Sequence, residues 1–129
     1  MKKFFETDDE FLSAVKITKL KEDATDLPTL IMQANLQYAE TEYRYFAAKD
    51  TLTELTAEKY LSTRLAKEKA GIKVTEAFMN SVLDKDPELS VWRERIASIA
   101  SELQKLKGLK DALQAKSVML ASMLGNQQI

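Results

Sequence analysis

The last third of the chain carries an apolar residue at almost every third or fourth position, and this spacing constrains the fold more than any other feature. Nine of the eleven positions in this stripe are apolar, the exceptions being Lys110 and Ser117. The stripe consists of Leu89, Trp92, Ile96, Ile99, Leu103, Leu106, Lys110, Leu113, Ser117, Leu120 and Leu124. Heptad spacing predicts one long helix that buries a narrow seam against another helix. A single helix cannot bury its own apolar seam, so the function depends on what this helix packs against.

The composition favours a single all-α domain. The 129 residues include only three Gly and two Pro, with 45% hydrophobic and 30% charged residues, which is typical of helical or coiled-coil chains. No apolar run approaches the roughly 20 residues that span a bilayer. The N-terminus turns acidic at once and lacks the apolar core of a signal peptide. We therefore expect a soluble, cytoplasmic protein with no membrane partner.

The chain contains no Cys and no His. Their absence excludes thiolate nucleophiles, imidazole bases, disulfides and the usual zinc sites. There is also no glycine-rich phosphate loop and no nucleophile elbow. Acid–base chemistry near neutral pH would require a strongly shifted carboxylate or lysine, and nothing in the sequence suggests one. We predict a protein that is not an enzyme and that needs no metal or cofactor.

The sequence is predicted to divide into an N-terminal arm, residues 1–27, and a helical hairpin domain, residues 28–129. Pro28 suits the first turn of a helix and disfavours helix at the residue before it, so the first long helix is expected to begin there. Nothing breaks this helix before about Lys69, and Gly71 is expected to end it.

The arm itself has a local helix signal. Thr7 and Glu10 match a capping box, which predicts a short helix from about residue 8 to residue 15. β-Branched residues alternate after it, so residues 15–20 are expected to form a strand or an extended link.

Two further caps organise the second half of the chain. Thr75 is expected to cap a short connecting helix, while Asp86 and Pro87 supply the N-cap and first turn of the long C-terminal helix. Gly125 is expected to end that helix. Two long helices joined by a short connector predict an antiparallel, coiled-coil-like hairpin.

The expected hairpin register pairs residues whose numbers sum to roughly 155. It places Ile31 opposite Leu124 and Leu55 opposite Ala100. Four lysines of the last helix should then face acids of the first long helix: Lys105, Lys107, Lys110 and Lys116. The facing acids would be Glu40, Glu42 and Asp50.

A basic stretch, residues 59–73, is the best candidate for a binding surface. It holds five basic residues and one acid, a net charge of +4, and is expected at the closed end of the hairpin. Such a patch would attract an anionic ligand, although exposed lysines are more often simply solvated and nearby acids weaken the field. The candidate residues are Lys59, Tyr60, Arg64, Lys67, Lys69, Lys73, Arg93 and Arg95.

The chain contains several aromatic residues of the kind that bind single-stranded nucleic acid by stacking on its bases. Tyr38, Tyr45 and Trp92 fall on the predicted seams, where core packing or a subunit interface accounts for them. Tyr43 and Tyr60 are better candidates for exposed functions.

Several landmarks follow one another in a familiar order. Ile17–Ala24 and Leu27–Leu30 precede a long helix, Arg64–Leu65 lies near its end, and Val82–Asp86 leads into the last helix. In this order the chain resembles bacteriophage recombination mediators of the UvsY type, over most of its length. The family's basic motif has a Lys two residues before the Arg, where this chain has Ser62.

The resemblance implies a recombination mediator that acts in DNA recombination and repair in the cytoplasm of the bacterial host cell. Such proteins form ring-like homo-oligomers of about six to eight subunits, bind single-stranded DNA, and help a RecA-like recombinase displace single-strand binding protein. A ring would gather a modest patch from each subunit, so a net charge of −1 is no obstacle. The alternative is a non-catalytic helical scaffold, adaptor or phage assembly protein without nucleic-acid binding.

Apolar residues outside the seams predict that the protein is not a monomer, because monomers generally avoid such exposure. On the two long helices they are Leu36, Ala39, Tyr43, Phe46, Leu109, Ala112, Met119 and Met123. The arm is too apolar for a free tail and is expected to dock on a neighbouring subunit through Phe4, Phe5, Phe11, Leu12 and Ile17.

Overall fold

The computed structural model describes residues 3–127, which form four α-helices and no strand. The helices are α1 (Asp8–Val15), α2 (Leu20–Lys69), α3 (Glu76–Asp84) and α4 (Pro87–Gln127). α2 packs against α4 and α3 connects them, so the predicted all-α hairpin with an N-terminal arm is confirmed. None of these four helices is long and apolar enough to cross a membrane.

The described chain divides into two compact units. Unit 1 comprises the residues up to Glu42 and those from Ser101 onward, and unit 2 comprises Tyr43–Ala100. α2 and α4 each contribute one segment to each unit.

The core of unit 1 is built from α4, the first part of α2 and the arm. Its buried members are Phe5, Ala14, Leu27, Ala34, Leu106, Leu109, Leu113 and Leu120. Of the predicted heptad positions in this part of α4, Leu106, Leu113 and Leu120 are buried, and the other four are half-buried. Leu109 was expected outside the seam but is only 3% exposed, because the arm adds a second surface for α4 to pack against.

The arm docks on its own chain and not, as expected, on a neighbour. The Phe4 and Phe5 amides donate to Oε1 of Gln37 at 2.9 and 3.0 Å, and Nε2 of Gln37 donates to the Phe5 carbonyl at 2.9 Å. The Phe5 and Phe11 rings lie 5.9 Å apart. The expected docking on a neighbour is wrong because α2 begins at Leu20, only a few residues after α1 ends. This short link keeps α1 beside α2 and α4 of the same chain.

The short helix predicted in the arm, with Thr7 as its N-cap, is confirmed as α1. Oγ1 of Thr7 accepts from the Glu10 amide at 3.2 Å, and the helix spans the predicted residues. Lys16 is extended, but the predicted link is shorter than expected because Leu20 is already helical.

The expected start of α2 at Pro28 is wrong, since this proline lies inside the helix. The carboxylate of Asp23 accepts from the amides of Thr18 and Lys19 at 2.7 and 3.1 Å, which secures the earlier start. The apolar side chains around Pro28 pack into the core of unit 1: Leu20, Ala24, Leu27, Leu30 and Ile31. Their burial outweighs the missing hydrogen bond of the proline.

In unit 2, the turn after α2 forms as the sequence predicts. Gly71 adopts a φ of +78°, a left-handed conformation that suits glycine. The Ile72 amide donates to the Lys67 carbonyl at 3.0 Å, which closes the helix end. Oγ1 of Thr75 then accepts from the Phe78 amide at 3.1 Å and caps α3.

The predicted start of α4 is also confirmed. Oδ1 of Asp86 accepts from the Leu89 amide at 3.0 Å, and Pro87 is the first helical residue. The predicted end at Gly125 is wrong, because this glycine lacks a positive φ and the helix continues to Gln127.

The expected hairpin register is wrong by about ten residues, nearly three helical turns. Ile31 lines a small cavity with Leu113 and Gln114 instead of facing Leu124. The reason lies in unit 2, where α3 rather than α4 lies beside the last turns of α2. Glu76 at the start of α3 contacts Tyr60 of α2 through a 2.7 Å hydrogen bond.

The lysines of α4 accordingly do not face the acids predicted for them. Lys105 pairs with Asp8 of the arm at 3.8 Å, and the Lys110 ammonium lies 4.2 Å from the centroid of the Tyr38 ring. Lys116 is buried against the arm. Lys107 is exposed and has no ion-pair partner among residues 3–127.

Candidate nucleic-acid interface

All eight predicted contact residues belong to unit 2. Five lie on α2, Lys73 lies in the turn before α3, and the two arginines lie on α4. The structure divides them into residues with intramolecular partners and residues whose charge is uncompensated.

Lys59 is held by two carboxylates at the start of α4. Its ammonium lies 2.9 Å from Oδ2 of Asp86 and 3.0 Å from Oε2 of Glu88. The hydrogen bonds to Asp86 and Glu88 raise the pKa of Lys59. The pKa of Asp86 is lowered, first by the hydrogen bond from the Leu89 amide and then by that from Lys59. Lys59 therefore ties α2 to α4 and offers little charge to a ligand.

Arg64 and Tyr60 are also occupied. Nε of Arg64 lies 3.1 Å from Oε1 of Glu68, and Nη1 donates to the Tyr60 hydroxyl at 2.7 Å. The Tyr60 hydroxyl donates in turn to Oε1 of Glu76 at 2.7 Å. The hydrogen bond to Glu68 is the main cause that raises the pKa of Arg64. Tyr60 is half-buried, and so less accessible than the sequence suggested.

The two arginines of α4 differ in their surroundings. Nη2 of Arg93 donates to the Leu83 carbonyl at 3.1 Å and so satisfies one of the last carbonyls of α3. The guanidinium of Arg95 lies 4.8 Å from the centroid of the Trp92 ring and has no carboxylate partner among the described residues. Arg93 is structural, whereas the charge of Arg95 is uncompensated.

The remaining three cations, Lys67, Lys69 and Lys73, form what we call the lysine cluster. None has an ion-pair partner in the part of the chain that the structure describes. Lys69 and Lys73 are exposed, and Lys67 is half-buried. Residues two positions apart on a helix point in nearly opposite directions, so the cluster surrounds the end of α2 and does not form a flat patch.

One aromatic residue beside this cluster was missed by the sequence analysis. Phe78 of α3 is 37% exposed, and its ring centroid lies 5.9 Å from the Lys67 ammonium. Only its place on the outer side of a short amphipathic helix could have indicated this.

The other aromatic predictions mostly agree with the structure. Tyr43 is 72% exposed, as expected. Tyr38, Tyr45 and Trp92 are half-buried, as seam positions predict.

Comparisons with protein-family models, curated proteins and solved structures gave no match. The likeness to UvsY-type mediators therefore depends on the order of landmarks in the sequence alone.

Proposed function

We propose that the protein is a non-catalytic recombination mediator that binds single-stranded DNA as a homo-oligomer. As the resemblance implies, it would help a RecA-like recombinase replace single-strand binding protein in the bacterial host cell. The observation that supports this most directly is the lysine cluster, whose three cations have no carboxylate partner within residues 3–127.

The lysine cluster has the chemistry that phosphate binding requires. An exposed ammonium contacts a phosphate oxygen and releases condensed counterions, without regard to base sequence. Three lysines on one chain give weak binding, but identical clusters on linked subunits would act on one strand at high effective concentration.

Exposed apolar side chains support self-association. In unit 1 they include Met32, Leu36, Val118, Met119 and Met123, and in unit 2 Tyr43, Phe46, Leu61 and Leu65. Apolar exposure on this scale is typical of surfaces that join subunits or bind partner helices. A sedimentation mass equal to one chain at micromolar concentration would contradict the oligomer proposal.

A second candidate function is a helical scaffold or adaptor without nucleic-acid binding. The pairing of Lys59 with Asp86 and Glu88, and of Arg64 with Glu68, favours it, because much of the apparent basic charge is neutralised within the chain. The apolar surfaces would then be the functional ones.

The deciding experiment reverses charge at Lys69 and Lys73. Arg64 is avoided because glutamate there would face Glu68 and Glu76 and disturb the fold. Binding of labelled oligothymidine is measured by fluorescence anisotropy at low salt for wild type and for the Lys69→Glu, Lys73→Glu variant. We expect the variant to bind at least about tenfold more weakly, since two attractions become repulsions.

The matched control reverses Lys21 and Lys107 of unit 1, which are likewise exposed and without ion-pair partners among the described residues. It changes the net charge equally, so retained binding by this control places the site in unit 2. An equal loss in both variants would mean that only overall charge matters. A wild type that binds no DNA at any salt would favour the adaptor.

A further inference from the structure

We infer that Phe78 and Lys67 form a nucleotide subsite in which the ring stacks on a base and the ammonium contacts the adjoining phosphate. The subsite would make the interface select single strands over duplex. This inference depends on the proposed DNA binding and adds to it the residue that contacts the base.

Phe78 is presented to solvent from a fixed position. Its backbone amide is bound by Oγ1 of Thr75 at 3.1 Å, and its neighbour Met79 is fully buried. α3 is also anchored by Leu83, whose side chain is buried and whose carbonyl accepts from Arg93. A ring held on an anchored helix loses little freedom when a ligand binds.

The cation beside the ring is positioned to meet a phosphate. The Lys67 ammonium lies 5.9 Å from the ring centroid, near the outer limit of about 6 Å for cation–π attraction. So distant a contact is easily exchanged for a phosphate oxygen. Proteins that bind single strands combine these two elements, an aromatic ring for the base and a cation for the backbone.

The other aromatic residues of unit 2 fit this role less well. Tyr60 has its hydroxyl bound by Glu76 and Arg64, and Trp92 is half-buried with the Arg95 guanidinium 4.8 Å from its ring centroid. Tyr43 is exposed, but it lies about 36 Å from Lys67 along the axis of α2 at 1.5 Å per residue.

Stacking on Phe78 would also discriminate between forms of DNA. Bases of a duplex already stack on their neighbours and are paired, whereas each base of a single strand has an accessible π-face. The lysine cluster alone would bind both forms through phosphates.

The test compares three probes of equal length: oligothymidine, an abasic phosphodiester and a blunt duplex. Wild type should bind oligothymidine more tightly than the abasic chain. Phe78→Leu, which keeps an apolar side chain but removes the π-face, should bind oligothymidine roughly 5- to 100-fold more weakly and the abasic chain unchanged. Phe78→Trp should retain the preference.

Val91→Ala, at an exposed apolar position on α4, is the matched control and should leave all three affinities unchanged. Equal wild-type affinities for oligothymidine and the abasic chain would overturn the subsite while leaving phosphate binding intact. Absence of binding to every probe would overturn the proposed function as well. The wild-type comparison decides the question even if Phe78→Leu lowers helicity in circular dichroism.

Discussion

The Lys116 ammonium donates to the Ala14 carbonyl at 2.9 Å across 102 positions of sequence. It also donates to the Lys16 carbonyl at 3.1 Å and lies 3.9 Å from Oδ1 of Asp23, with its side chain only 3% exposed. The two carbonyls lie at the end of α1, where the helix dipole attracts a cation. These partners explain how unit 1 accommodates a buried charge.

Replacement of Lys116 should therefore loosen the arm. Lys116→Met would leave the end carbonyls of α1 without their donor, and we expect a loss of about 2–3 kcal/mol in the free energy of unfolding. Urea denaturation and amide exchange across α1 would measure it. Lys107→Met, on the exposed side of α4, should change neither quantity.

Pro28 provides a test of where α2 begins. Proline inside a helix costs up to about 3 kcal/mol relative to alanine, whereas at a first helical position the cost is small. Because α2 starts at Leu20, Pro28→Ala should restore an amide donor to the helix and raise the free energy of unfolding by about 1–3 kcal/mol. A neutral or destabilising effect in urea denaturation would mean that the helix starts at the proline.

The stability conferred by Asp86 should depend on pH. The pKa of Asp86 is lowered in the folded protein. The ionised aspartate therefore stabilises the fold at pH values above about 3.9, the pKa of an aspartate in the unfolded chain. This stabilisation is lost as the pH falls through the lower pKa of the folded state. Urea denaturation should show a larger difference between wild type and Asp86→Ala at pH 7 than in strong acid. A constant difference would contradict the ion pair and cap seen here.

If DNA binds the lysine cluster, its salt dependence should report the number of phosphates that the protein neutralises. On a single strand, each neutralised phosphate adds about 0.7 to the steepness with which log affinity falls against log salt concentration. Lys69→Gln with Lys73→Gln should thus make this slope shallower by about 1.4 per subunit. An unchanged slope together with weaker binding would indicate an indirect effect on folding or assembly.

The sequence predicted those parts of the fold that depend on near neighbours. Thr7, Gly71, Thr75 and Asp86 bond to groups no more than three or four residues away, or adopt a backbone conformation of their own, so local patterns sufficed. The buried seam of α4 could also be predicted, from the heptad spacing of its apolar residues.

The start of α2 and the hairpin register could not be read in this way. The early turns of α2 are stabilised by packing that includes Leu27 with Leu109 and Leu113, more than eighty residues later. The register depends on α3 lying beside the end of α2, through contacts such as that between Tyr60 and Glu76. Helix propensity and periodicity carry no information about such partners.

For the candidate site, the sequence located the basic stretch but not its free charges. Lys59 is neutralised by Asp86, twenty-seven positions later, so a count of charges along the chain overestimates the field. The sequence did not indicate that Phe78 lies beside Lys67, because the two residues meet only through the packing of α3 beside α2.

The arm has a consequence for synthesis on the ribosome. Its partners on α4, including Lys116 and Leu120, are translated about a hundred residues later than Phe5 and Ala14. At about 5–20 residues per second, the α4 part of the binding surface of the arm is synthesised roughly 5–20 seconds after the arm itself. The arm can therefore contact Gln37 of α2 early, but it completes its packing only after the middle of α4 has been synthesised.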